Sequence, residues 1–335
     1  MKVDLDALKG ARVLVTGAGG FIGSHLVEAL VGRGATVRAF VRYTSRGDRG
    51  TLGVIPPATL AAVEIVQGDL RSADSVRAAM RDADIVLHLG ALISIPFSYV
   101  SPDEAVDSNV RGTLNVLQAA RDTPTVRRVV HTSTSEVYGT ARYTPMDEAH
   151  PLQGQSPYSA SKIGADKLAE SFARSFGVPV TTLRPFNTYG PRQSTRAVIP
   201  TVITQLLKGP KITLGSLHPT RDFLFVADTV QGFMRAAVAP GIERREINVG
   251  TGREISVGEL VHAIGRIVGR TPEITSHDER VRPEASEVDR LCAANGLARE
   301  LLEWEPQVSL EEGLQRTVEW VKSNTGFYQQ EAYHR

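Results

Sequence analysis

The chain has almost no cysteine. Cys292 is the single one in 335 residues, so no intrachain disulfide can form and a cysteine-built metal cluster is excluded; no metal site of any kind is expected. Charge of one sign is equally scarce. The 38 Lys and Arg set against 37 Asp and Glu leave a formal net charge of +1, which gives no electrostatic case for nucleic acid or an anionic membrane as partner, though a local basic site for phosphates stays open. Long apolar runs are missing too: nothing approaches a membrane span, and the start Met1-Lys2-Val3-Asp4-Leu5-Asp6 is interrupted by acids. A cytoplasmic location is the expectation. What is present, 41% apolar and 22% charged residues, is the make-up of a soluble globular protein long enough for one large or two ordinary domains.

Short apolar strands are expected at Ala11 to Thr16, Ala35 to Val41, Val63 to Gln67, Asp84 to Leu89 and Val126 to His131, with helical patterns between them. Ser101-Pro102-Asp103-Glu104 reads as a capping box, opening a helix with Val106, Val110, Thr113 and Leu117 on one face; Ser256-Val257-Gly258-Glu259 reads as another. Alternating strands and helices predict an α/β fold with a doubly wound parallel (Rossmann) sheet. After Gly190-Pro191 the elements shorten. We therefore assign residues 1–186 and 222–250 to the dinucleotide-binding half and 187–221 and 251–335 to a smaller mixed α/β substrate lobe; the polar tail from Phe327 to Arg335 is expected to fray.

The first strand runs into Gly17-Ala18-Gly19-Gly20-Phe21-Ile22-Gly23 and then a helix, the context a dinucleotide turn requires. Gly17 allows the tight turn, Gly20 the approach of a pyrophosphate to helix-terminal amides, and Gly23 close packing. The usual ribose carboxylate is absent: the second strand ends Phe40-Val41-Arg42-Tyr43-Thr44-Ser45-Arg46. Arg42 there can stack on adenine or take a 2′-phosphate, which makes NADP at least as good an expectation as NAD; its bland role is that of a solvated loop charge. Asp69 can accept from the adenine amine or simply cap the next helix.

The densest chemistry lies between Thr132 and Lys162. The strand at Val126 to His131 delivers Thr134, Ser135 and Glu136 to its carboxyl end, where open α/β sheets bind ligands. Ser156 and Pro157 suit an N-cap and first helical position, so Tyr158 and Lys162 share a face one turn apart. A neighbouring ammonium favours the phenolate, which makes Tyr158 a general base for an alcohol. Spacing alone is weak evidence, since such pairs are usually surface residues.

Taken in order, the Gly17/Gly20/Gly23 turn, Gly68-Asp69-Leu70, His88-Leu89-Gly90-Ala91, Ser133 to Gly139, Tyr158 to Lys162 and Arg184 to Arg192 resemble the extended short-chain dehydrogenase/reductase family in its nucleotide-sugar branch. Within it, Gln153 to Tyr158 and Pro219 to Phe223 resemble N-acetylglucosamine-nucleotide 4,6-dehydratases, and the Thr-Ser-Glu run is shared with GDP-mannose 4,6-dehydratases. The resemblance implies a tightly held, recycled NAD(P) touching Phe21, Ile22, Leu70, Leu89, Ala91, Tyr158 and Lys162. It implies a nucleotide-diphosphate sugar held by Arg221 and Arg282 at the diphosphate and by Asn187 and Arg192 on the sugar side, and a homodimer through the helices at Ser101 to Arg121 and Pro157 to Phe176. In such a site Thr134 bonds the sugar 4-oxygen, and Glu136, two residues on along an extended segment, takes the C5 proton. Ser135 stands where dTDP-glucose dehydratases have an aspartate. Glu136 as a purely structural carboxylate, an NDP-glucuronate decarboxylase, a 4-epimerase and a non-enzymatic dinucleotide sensor are the competing readings. Ser94, His88 and His131 are expected to be core or packing residues.

Overall fold

A computed structural model describes residues 2–276 and 283–329, so Arg282 and the last six positions of the tail lie outside the described residues. Six apolar segments become strands within a residue or two of their expected bounds or, for the sixth, newly located: β1 (Arg12–Thr16), β2 (Thr36–Arg42), β3 (Val63–Gly68), β4 (Ile85–His88), β5 (Arg128–Thr132) and β6 (Val180–Pro185). Seven more follow: β7 (Asn187–Tyr189), β8 (Lys211–Leu214), β9 (Thr220–Arg221), β10 (Phe223–Phe225), β11 (Glu246–Val249), β12 (Ile255–Ser256) and β13 (Glu273–Ser276). One seven-stranded sheet runs β11-β6-β5-β4-β1-β2-β3 with every pairing parallel. Strand order reverses between β1 and β4, and there the carboxyl ends open a crevice.

Alternation along the strands divides the core. Leu14 and Val86 face the helices Ala73–Met80 and Gly112–Arg121, whereas Val13, Val15, Ile85 and Leu87 face the opposite layer with Leu26, Leu30 and Phe233. All four residues of β4 and all six of β6 are buried, as befits strands covered on both faces. Each such aliphatic side chain contributes about 1.5–3 kcal/mol by leaving water. The remaining strands form three two-stranded pairs, β7 with β10, β8 with β13 and β9 with β12. Helices Val198–Lys208, Val257–Val268 and Leu310–Ser323 pack on one another beside them. The box at Ser256 and Glu259 forms as read from sequence.

The helix after Pro102 departs from expectation twice. Ser101 makes no capping bond to the helix; its hydroxyl donates to Asp103 Oδ1 instead, so no capping box forms. The stripe also differs, because Asp107–Arg111 is a π turn. Wider turns bring every fourth residue inward, so Ala105, Asn109, Thr113 and Leu117 are buried while Val106 stays half exposed. No helix among the described residues is long and apolar enough to cross a membrane.

Candidate active site

β5 ends at Thr132, and Ser133 continues the pairing for one residue by donating its amide to Leu183 O at 2.8 Å. Thr134 is still extended, but the chain then folds into a 3-10 turn over Ser135–Tyr138, with Thr134 Oγ accepting the Glu136 amide at 3.3 Å. This corrects the extended segment expected there: a turn, not strand alternation, brings Glu136 beside Thr134. Ser135 and Glu136 are both buried.

Helix Pro157–Ser175 begins as read, with Ser156 accepting from the Ser159 amide and the Ser159 hydroxyl accepting in return. Tyr158 and Lys162 sit one turn apart and are 7% and 4% exposed. The phenol hydrogen-bonds the Thr134 hydroxyl. Lys162 Nζ, however, donates to Thr132 O at 2.6 Å. Its effect on the phenol is therefore not the expected one. Burial, with Glu136 and Asp166 adding negative charge nearby, pushes Tyr158 above its usual range, so the resting phenol is protonated. Burial lowers Lys162 to about 8, with the charge of Asp166 working against it.

The glycine turn lies against the loop after β4. Gly17 has φ +69, and a Cβ there would meet Gly90 N at 2.7 Å; one on Gly23 would lie 2.2 Å from Gly17 O. No side chain caps helix Phe21–Gly32, whose N-cap is Gly20. Leu70, Leu89, Ala91, Phe21 and Ile22 surround this turn; a Cβ on Gly90 would meet Leu70 Cδ1 at 2.6 Å, and Leu89 donates its amide to Thr16 O. A cradle that any side chain would fill, facing an uncapped helix start, fits a dinucleotide pyrophosphate. Asp69 is not the helix cap, a role Ser72 takes. Its carboxylate grips Arg71 at 2.7 Å, which holds it below the usual carboxylate range with a smaller contribution from Arg42. Arg42 is exposed at the end of β2.

Of the residues expected on the sugar side, Asn187 opens β7, and its Oδ1 is buried with no hydrogen-bond partner among the described residues. Arg221 is buried, donating to Thr220 O and lying 3.7 Å from Glu287. Arg192 is bound to Glu28 of the glycine-turn helix at 2.6 Å with φ +69, next to His25, whose ring meets Pro191 O at 2.9 Å. Its Nη1 is buried with no hydrogen-bond partner among the described residues. His88 is the satisfied core histidine expected, bonded to Thr16 and Thr113. Ser94 caps the helix Ile95–Val100.

Sequence reasoning missed Asn109, Asp166 and Arg184. Asn109 takes the Leu92 amide at 2.7 Å and donates to Leu92 O and Ser161 Oγ, tying the loop after β4 to the helix bearing Tyr158. A polar amide on a buried helical stripe was the available signal. Asp166 and Arg184 are both fully enclosed and paired at 3.1 Å.

These groups suit dinucleotide-linked hydride and proton transfer on an alcohol. Residues 14–317 match the family model described as GDP-mannose 4,6 dehydratase. A putative UDP-glucose 4-epimerase of Methanocaldococcus jannaschii is 33% identical over 93% of this chain and 99% of its own length. A dTDP-glucose 4,6-dehydratase of Streptomyces antibioticus is 34% identical over 95% and 94%. The crystal structure of a dTDP-glucose 4,6-dehydratase from Streptomyces venezuelae with NAD bound superposes with a TM-score of 0.83 at 31% identity, covering 95% of this chain and 99% of that one. The chain belongs to the nucleotide-sugar dehydratase/epimerase branch of the extended short-chain dehydrogenase/reductases, and is an enzyme of that type.

Proposed function

We propose that the protein is a 4,6-dehydratase that converts an NDP-hexose, in our reading an NDP-N-acetylglucosamine, to its 4-keto-6-deoxy form. The observation that carries this is Glu136: a buried carboxylate in the same turn as Thr134, whose hydroxyl is bonded to Tyr158. When bound, the nicotinamide accepts the C4 hydride and returns it at C6. Tyr158 is protonated at rest, and the positive charge of a bound oxidised nicotinamide would favour its phenolate; in that form it takes the 4-hydroxyl proton, Thr134 holds that oxygen, and Lys162 keeps positive charge beside the reacting alcohol. The resulting 4-ketone acidifies C5–H. Glu136 removes that proton and passes it to O6, which leaves as water, because Ser135 is a far weaker acid; once hydride has returned to C6 a solvent proton completes C5, and the proton taken by Tyr158 returns to solvent. Arg221 and Arg282 hold the diphosphate and Asn187 the sugar, since guanidinium groups pair with phosphate oxygens two at a time.

NAD is the dinucleotide in the solved relative. Arg42, exposed at a strand end without a carboxylate, supports NADP as the alternative here, and identifying the dinucleotide released on heating decides between them. A homodimer through the helices at 102–121 and 157–175 belongs to the same reading; Val106 and Phe176, 50% and 53% exposed, support it, and light scattering checks it.

Glu136→Gln keeps size and hydrogen bonding but cannot accept a proton. Wild type gives a product lighter by one water with solvent deuterium at C5, whereas the variant stops at reduced cofactor and a 4-keto sugar without C5 exchange. Carbon dioxide released from a glucuronosyl nucleotide would instead identify a decarboxylase, and an isomer of unchanged mass an epimerase.

A further inference from the structure

Behind the phenol lies a buried charged cluster that the reaction steps above do not use. Asp166 follows Lys162 by one helical turn and Tyr158 by two, on one face of the same helix. Its side chain is completely buried. Oδ1 lies 3.0 Å from His131 Nε2, and Oδ2 accepts the Ser133 hydroxyl at 2.6 Å and Arg184 Nη2 at 3.1 Å. Ser133 immediately precedes Thr134. Arg184 also donates to Tyr138 OH at 2.8 Å, and Tyr138 closes the turn that carries Glu136. One carboxylate thus anchors both ends of the catalytic turn, Ser133 directly and Tyr138 through Arg184.

We propose that Asp166 is a positioning residue for this reaction, fixing the Ser133–Tyr138 turn and keeping Lys162 charged, an inference that rests on the roles given to Tyr158 and Lys162 above. The charges decide it. Arg184 is shared between Asp166 at 3.1 Å and Glu246 at 2.8 Å, and Asp166 is the carboxylate whose charge supports Lys162. His131 on β5 and His88 on β4 face the lysine, and burial holds both below their usual range and hence neutral. Nearby are the Thr132 carbonyl to which Lys162 donates and Tyr158 on its own helix, with Arg184 on β6 beside His131 and Glu136 on the turn beside Tyr158. Without the Asp166 charge Lys162 would lose the carboxylate that supports its charged form in a dry interior. Arginine cannot shed a proton there, so the lysine would.

Asp166→Asn tests this with little change of shape. Ser133 and Arg184 can still donate to the retained carbonyl oxygen. His131 Nδ1 has no partner, so its ring can carry the proton there and let Nε2 accept from the new amide. We expect the alkaline limb of the kcat profile, set by Lys162 near 8, to move down by about one pH unit or more, with the acid limb unmoved. Ser133→Ala, which frees the turn but keeps the charge, should lower kcat several-fold with the alkaline limb in place. The Lys162 Nζ resonance, assigned through Lys162→Met, should titrate near 8 in wild type and lower in Asp166→Asn whatever sugar is turned over. An unmoved titration overturns the role of Asp166, while absence of any dehydrated product in wild type overturns the dehydratase reading and not this one. Should Asp166→Asn fail to fold, a wild-type Lys162 that titrates below neutrality overturns the proposal by itself.

Discussion

Asp69 and Asp166 both hold an arginine, and they do so at opposite depths. Asp69 follows the edge strand β3; its partner Arg71 is two residues away, and both side chains are about a third exposed. Asp166 lies beneath β5 and β6 and meets Arg184 with neither side chain accessible to water. Arg38 and Glu64 on β2 and β3 repeat the edge pattern, at 25% and 55% exposure. Exposed pairs are screened and contribute about 0–1 kcal/mol, whereas losing one partner of a buried pair costs about 3–5 kcal/mol. The end of the crevice at Tyr158 is therefore held rigidly and the end at Asp69 loosely. That division suits a protein whose chemistry must be exact in angle while its dinucleotide end has only to hold on.

Substitutions graded across this gradient should sharpen or break it. The largest effect is expected at Tyr158→Phe, which removes the phenolic oxygen bonded to Thr134 and should cut turnover about a hundredfold or more, read in steady-state assays of product formation. Wild-type-like turnover would mean that the rigid end is not the reacting end. Arg184→Leu should cost about 3–5 kcal/mol in urea unfolding, because Asp166 would keep a buried charge with one less donor. The same carboxylate gives a pH test. Its folded value, about 2, lies below the ordinary 3.8, so its stabilisation is complete above 3.8 and is lost as pH falls toward 2. In Arg184→Leu the folded value rises toward 3.8, so that acid-side loss should be smaller and end at higher pH. The smallest effect belongs to Arg42→Ala, with turnover within about threefold of wild type and any change confined to which dinucleotide co-purifies, since exposed charges contribute little. A collapse of turnover there would show that the edge is as tightly coupled as the centre.

What could be read from the chain alone follows the same gradient in sequence distance. The glycine turn, the Ser156 cap and the Tyr158–Lys162 pair are local, set by spacing along one strand end or one helix. Five of the seven strands of the sheet were legible because buried parallel strands are short continuous apolar runs, whereas β6 and β11 were not located from sequence. The Arg192 pairing was not legible because its partner Glu28 is 164 residues away, and no local pattern announces such a contact. Glu136 was assigned to the right neighbourhood for the wrong geometric reason, since a turn capped by Thr134 leaves the same residues adjacent. The lysine's effect on the tyrosine was misjudged because helical spacing fixes a shared face but not where a long, flexible ammonium finds its acceptor, here the Thr132 carbonyl.

The π turn at Asp107–Arg111 is in effect a one-residue insertion within a helix whose two flanks stay in phase. A deletion of one residue there should close the helix into ordinary winding without rotating either end. It would also withdraw Asn109 from Leu92 and from Ser161. The loop after the fourth strand would then lose its tether to the catalytic helix in a protein that is otherwise folded. Such a shortened chain would be a natural blank: a scaffold with its glycine turn, tyrosine and lysine all present, and the brace between them removed by a single codon.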